Sequence, residues 1–287
     1  RTNTNDITSP SRFICENNTV NFDATGQAAI SSAMIFSTIS ASTVLTAEIE
    51  TVIKKNRLNY TGDFTLTPSF SVVGVRFAGR HTNIVVDSNE INLVGTNLPQ
   101  SLSTGSTGVL IFTNATGTGT GAIPANAVIN ILNNKINGFK QSVTFNNVQT
   151  AQYGGLLPGI IANINNNSFT GDSISINNGT ISQIINANCN WYGSAGAQNI
   201  IPKISTATTV NYIPWLTDGT DADLVATGFQ PLPGVCTGTP VTVTSVTGGG
   251  TYCPGTTPAN IEAAVTGTSP WSVAYTLNGV AQTPATG

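Results

Sequence analysis

Two short segments alternate along this chain between about residue 50 and residue 192, and their alternation restricts the fold more than any other feature. One is a run with apolar residues at every second position that closes on a small or amide residue: GVRFAG around Phe77, LIFTN around Phe112, SVTFNN around Phe145 and SISINN around Ile176. The other is an apolar run, then Asn, one residue and a further apolar residue: VIKKNRL at Asn56, IVVDSNEI at Asn89, INILNNKI at Asn134 and IIANINNNSF at Asn167, with a related IINANCNWYG at Asn190. Alternation with a period of two is the pattern of a half-buried strand. From 77 to 112, 112 to 145 and 145 to 176 the first segment recurs after 35, 33 and 31 residues. Unequal intervals with similar contents describe a rung whose connections vary in length. Gly- and Thr-rich stretches such as NATGTGTGAIPAN fill those connections.

Asn is a poor strand former, so its return at strand ends needs a structural reason. In a parallel β-helix each coil lays its strands on the equivalent strands of the coil below. A corner side chain then sits above its counterpart one rung down, and Asn amides can hydrogen-bond in a ladder along the axis. Asn also tolerates the left-handed backbone that a sharp corner requires. The spacing predicts Asn89, Asn134 and Asn167 as ladder residues, with Val75, Phe77, Val143, Phe145, Ile174 and Ile176 stacked in the interior.

The composition agrees with short strands and turns. Charged residues make up 8% of the 287 and hydrophobic residues 39%. The polar remainder is mostly Asn, Thr, Ser and Gly, which does not favour long helices. The apolar fraction is too high for a disordered chain. A net charge of −3 with 10 Lys and Arg gives no electrostatic footprint for nucleic acid or an anionic membrane. The longest apolar stretch, Ala28 to Leu45, is broken by Ser and Thr and reads as strand, not as a membrane span. Cys15, Cys189, Cys236 and Cys253 show no C-x-x-C spacing, which argues against zinc. Cys236 and Cys253 flank a strand-like stretch and could pair, or each could have a partner elsewhere. The composition points to an oxidising, extracellular setting. With no initial Met and an end inside a run of strands, the chain reads as a piece of a larger protein.

NCNWYGS (Asn188 to Ser194) followed by VNYIPWLTDGTDAD (Val210 to Asp223) resembles the closing segment of right-handed parallel β-helix proteins of the pectate-lyase-like superfamily. Tyr192 stands where those proteins often carry a second Trp. Pro231, Pro233 and Gly234 then suggest a stiff linker. Beyond it, GGGTYCPG and GTSPWSVAYTLNG resemble the first half of the Ig-like repeats in Bacteroidetes-type surface adhesins. That resemblance implies a core role for Trp271 and a missing partner for Cys253. The expected fold is all-β: a right-handed parallel β-helix over residues 1–225, a linker over 226–240, and a partial Ig-like β-sandwich over 241–287.

The β-helix fold hosts polysaccharide lyases and hydrolases, so chemistry has to be argued from residues. Arg76, Arg80, His81, Asp87 and Glu90 form the only dense charged cluster, and His81 is the only His. A lyase needs a cation to neutralise a uronate and a base for its α-proton, and a hydrolase needs two facing carboxylates. Asp87 and Glu90, three apart, are expected on opposite faces of one strand, and no other coil repeats acidic residues there. Solvated surface charge is the preferred reading of the cluster. Asp218, Asp221 and Asp223 in DGTDAD could gather calcium, or form a plain acidic loop. Tyr60, Tyr153 and Trp191 are candidate glycan platforms, Trp191 being better placed under the closing segment. DSI at Asp172 resembles a short O-glycosylation acceptor of Bacteroidetes-type proteins. The expected role is a structural or adhesive module of a large secreted or cell-surface protein. Its expected partners are other domains of the same chain, neighbouring copies or extracellular glycans. Open coil ends would expose unpaired backbone, so the N-terminal end is expected to need a cap or neighbour.

Overall fold

A computed structural model describes all residues except 1–5, 8, 26–28, 40–43, 46–48, 64–68, 80, 82, 97–105, 113–127, 147–160, 179–183, 206–208, 252, 258 and 278. The chain passes through three parallel sheets in turn. The first contains Ser11–Glu16, Ile49–Lys54, Asn83–Asp87, Val128–Leu132, Ile161–Asn165, Ile185–Asn186 and Val210–Asn211, each paired with the strand one coil on. The second contains Thr19–Asp23, Arg57–Asp63, Glu90–Thr96, Lys135–Asn137 and Ser168–Thr170. The third contains Ala29–Ile39, Ser69–Gly79, Thr107–Phe112, Gln141–Asn146, Ile174–Asn178 and Ile204–Ser205. Every one of these pairings is parallel, and the result is a parallel β-helix.

Inward-facing residues stack in columns along the axis. Ile53, Val86, Ile131 and Ile164 form one column, and Leu58, Ile91, Ile136 and Phe169 another; all are at most 3% exposed. Each such side chain stabilises the fold by about 1.5–3 kcal/mol relative to exposure. Val75, Phe77, Val143, Phe145 and Ile176 also lie in the core. Ile174, expected beside them, is half-buried opposite Gln141. The register also corrects the rung spacing. Phe77 faces Ile111 rather than Phe112, Ile111 faces Phe145, and Phe145 faces Asn178. From 77 to 111, 111 to 145 and 145 to 178 the steps are 34, 34 and 33 residues. Phe112 stands one residue out of that frame, a slip that turns a strand side chain to the other face, and Ile176, opposite Val143, stands two residues out.

Gly108 leaves room for a neighbour in the core. A Cβ there would lie 2.4 Å from Ile136 Cγ2 and 2.8 Å from the Ser142 carbonyl oxygen. Gly108→Val is expected to cost about 1–3 kcal/mol or more through overpacking, read from the denaturant midpoint.

The segment expected as a linker is packed against the β-helix. Phe229 is fully buried and its N–H donates to the Asn133 carbonyl. Cys236–Gly238 pairs antiparallel with Trp215–Leu216. Beyond it, Thr242–Thr247 and Glu262–Thr266 form an antiparallel hairpin, followed by the short pairs Ser272–Val273 with Ala285–Thr286 and Thr276–Leu277 with Val280–Ala281. Among the described residues from 239 onward no side chain is fully buried, and Trp271 is half-buried with Gly287 against its ring. Among the described residues no helix is long and apolar enough to cross a membrane.

Candidate functional site

The corner between the first and second sheets carries the most organised polar structure. Six Asn residues, 18, 56, 89, 134, 167 and 190, occupy equivalent places in successive coils. The Nδ2 of each donates to the Oδ1 of the next at 2.9–3.0 Å. The backbone N–H of each donates to that same Oδ1 at 2.9–3.0 Å. The remaining Nδ2 hydrogen reaches backbone carbonyls, from Asn134 those of Val86 at 2.9 Å and Leu132 at 2.8 Å. Asn56, Asn89, Asn134, Asn167 and Asn190 are fully buried. Amide donors and acceptors are thus matched where an orphan would be costly. The steps of 38, 33, 45, 33 and 23 residues show how coils of different length still bring the corner into line.

The left-handed residue of each corner is not the ladder Asn but the one before it. Asn17, Lys55, Ser88, Asn133, Asn166 and Cys189 have φ between 53° and 57°. Each donates its N–H to a carbonyl of the next coil or, for Cys189, to Pro214. The amide of the ladder Asn is needed inside the turn, and its neighbour takes the strained backbone, which suits the Asn found at three of the six places.

Outward faces carry further amide columns. Asn59 donates to Asn21 and Asn92 to Asn59 on the second sheet, and Asn163 donates to Asn130 and Asn186 to Asn163 on the first. Charged side chains also pair between coils: Arg12 with Glu50, Lys54 with Glu16, and Arg57 with Glu90. Exposed pairs of this kind contribute little to stability.

The C-terminal end of the stack is closed by a compact cap. Trp215 is fully buried, donates Nε1–H to the Ala195 carbonyl at 2.8 Å and stacks on Tyr212. A disulfide joins Cys189, at the last corner, to Cys236 in the strand against Trp215–Leu216, while Cys15 and Cys253 are free thiols. Beneath the helical turns Ala197–Ile200 and Ile201–Lys203, Lys203 Nζ donates to the buried Asp172 carboxylate at 2.8 Å and to the Tyr192 carbonyl at 2.9 Å. Ser142 Oγ donates to the second Asp172 oxygen at 2.7 Å. Lys203→Met is expected to cost about 3–5 kcal/mol, because it leaves a buried carboxylate uncompensated; chemical denaturation measures it.

Tyr192 is fully buried and its hydroxyl donates to the Ala187 carbonyl at 2.8 Å. Burial pushes its phenol well above the ordinary tyrosine range, against the opposing hydrogen bond from Asn190. A group with a raised folded-state pKa contributes stability that is complete below its unfolded pKa and lost as pH rises toward the folded value. Stability is therefore expected to be level up to about pH 10 and to fall above it. Tyr192→Phe should flatten that fall in denaturant titrations at alkaline pH.

The described members of the charged cluster are not gathered into one groove. His81 is 2% exposed, set edge-on against Phe77 and within 3.3 Å of Thr51 Oγ1. Arg76 lies over the Phe36 ring at 5.3 Å, a cation–π contact. Asp87 accepts from Ser88 Oγ and Asn133 Nδ2, and Arg80 lies outside the described residues. Asp87 and Glu90 stand on two strands either side of the corner, not on opposite faces of one strand. The corner begins one residue after Asp87, where Ser88 turns left-handed.

The acidic loop is likewise spent on its own backbone. Asp218 accepts from the Thr220 N–H, Asp223 from those of Val225 and Ala226, and Asp221 from those of Asp223 and Gln230. Asp221 also pairs with Lys135, which ties the loop to the ladder corner. Gly219 packs against the Trp191 indole, where a Cβ would come within 2.3 Å of the ring. Among the described residues no group of three or more His, Cys, Asp or Glu is placed to hold a metal ion. Of the aromatic candidates, Tyr60 is fully buried and stacked under Phe22, Trp191 is half-buried beneath the loop, and Tyr153 lies outside the described residues. Asp172 of the DSI motif is committed to the cap. Comparisons with family models, curated proteins and solved structures find no match for this chain.

Proposed function

We propose that this chain is a non-catalytic structural or adhesive module of a secreted or cell-surface protein, with the β-helix as a stiff spacer and the C-terminal strands as the start of an Ig-like domain. One observation carries the reading: the buried polar groups of the corner bond one another from coil to coil, so the most organised chemistry in the molecule serves the axis rather than a ligand. The ion pairs among the described residues follow the same rule, running between coils and within the cap. Outward amide columns support an adhesive contribution. Each amide that bonds its neighbour retains at least one donor and one acceptor, the complement of a hydroxyl-rich surface. Other domains of the same chain, neighbouring copies and extracellular glycans are the partners this surface suits. Calcium at Asp218, Asp221 and Asp223 would compete with Lys135 for Asp221, and a melting temperature unchanged by EDTA or added calcium is expected.

Incubation with acidic and neutral polysaccharides, with and without calcium, tests the proposal. Co-sedimentation without new reducing ends or unsaturated products is expected, or no interaction at all. Product formation that disappears in Arg80→Ala would overturn it in favour of a lyase or hydrolase.

A further inference from the structure

The two ends of the coil stack differ. The C-terminal end lies under Trp215, the disulfide and the Lys203–Asp172 pair. At the N-terminal end, Ser11–Glu16, Thr19–Asp23 and Ala29–Ile39 are each the last strand of their sheet. The interior columns also emerge there. Phe22 continues the column of Tyr60 and Leu93, and Cys15 that of Ile53 and Val86. Tyr60 and Leu93 are at most 1% exposed, whereas Phe22 is 40% exposed and shows the ring face opposite Tyr60. The ladder is unfinished in the same direction. Every later Asn accepts two hydrogen bonds at Oδ1 from the coil before it. Asn18 gives its own two to Asn56, and none of the described residues donates to Asn18 Oδ1.

We propose that this end is a docking face for one further coil of parallel β-structure, whose corner asparagine donates its backbone N–H and Nδ2–H to Asn18 Oδ1. The occupant follows from the pattern of the acceptor. Five identical steps define what fits the sixth: two donors from one corner amide, with apolar side chains over Cys15, Val20 and Phe22. A second copy fits less well. The capped end of another molecule presents no corner amide, and two N-terminal ends brought together face acceptor to acceptor and run their edge strands antiparallel.

The test supplies the coil in register. A copy of residues 50–82 fused in front of Arg12, in place of residues 1–11, returns to the start of the next coil, because Asn83 pairs with Glu50 and Glu50 with Arg12. The copied Asn56 then stands as far before Asn18 as Asn56 stands before Asn89, a step of 33 residues. With Cys253→Ser removing the exposed thiol, Cys15 reports on the face. Maleimide labelling of Cys15 is expected to slow about tenfold in the fusion, with a higher melting temperature. Asn→Ala at the copied corner should remove most of that rise. The unfused chain should sediment as a monomer with Cys15 open to labelling. A fusion that fails to fold, or folds without either change, overturns the proposal. So does a dimer of the unfused chain in which Cys15 is already protected.

Discussion

Asn134→Ala is expected to destabilise the fold by about 3–5 kcal/mol, far more than a typical surface substitution. The side chain lies in the middle of the ladder, and its loss orphans groups on both sides. Asn89 loses the acceptor for its backbone N–H and for one Nδ2 hydrogen. The carbonyls of Val86 and Leu132 lose a donor, and Asn167 Oδ1 loses one of its two. All of this happens where water has no access, since Asn89, Asn134 and Asn167 are fully buried, so each orphan keeps its full desolvation cost. Asn134→Asp should be no milder, because a buried carboxylate cannot supply the Nδ2 donors. Asn18→Ala, at the exposed end, is expected to cost less than about 1 kcal/mol. Urea or guanidinium unfolding of the three variants checks the order. Equal losses at positions 18 and 134 would mean that the ladder is not cooperative.

Cys189→Ser is expected to cost about 4 kcal/mol, by the chain-entropy estimate for a loop closed over a separation of 47 residues. The bond ties the last left-handed corner to the strand that lies against Trp215–Leu216. Its loss should therefore loosen the cap before the central coils. Reductant should lower the melting temperature of the parent chain to that of Cys189→Ser and leave the variant unmoved. Proteolysis should then enter around residues 217–236, with the coils resistant. A melting temperature indifferent to reductant would show that the cap holds without the bond.

Much of the fold was legible because its period is written twice, in alternating strands and in recurring Asn. The register was not, since Phe112 and Ile111 are both apolar and only pairing with Phe77 decides which faces inward. That Asn18 continues the ladder, as its bond to Asn56 shows, was also readable, since FICENNTV at residues 13–20 has the apolar run before Asn and the apolar residue after it. The left-handed place before each ladder Asn was readable in principle, from Asn, Lys, Ser, Asn, Asn and Cys one position earlier. Asn alone, however, suits both the turn and the ladder. The cap depends on contacts across 31 and 47 residues, Asp172 with Lys203 and Cys189 with Cys236. No local pattern selects Lys203 over other lysines, or Cys236 over Cys253, as a partner. The burial of His81 between Phe77 of its own coil and Thr51 of the coil before is not visible in its local sequence.

Residue-resolved hydrogen exchange tests most directly whether an internal amide ladder holds this molecule together. The side-chain Nδ2–H and backbone N–H of Asn56, Asn89, Asn134 and Asn167 should exchange with the slowest group in the protein, near the limit of global unfolding. Those of the outward Asn59 and Asn163 side chains should exchange orders of magnitude faster. Corner amides that exchange as fast as the outward columns would contradict a ladder-held β-helix.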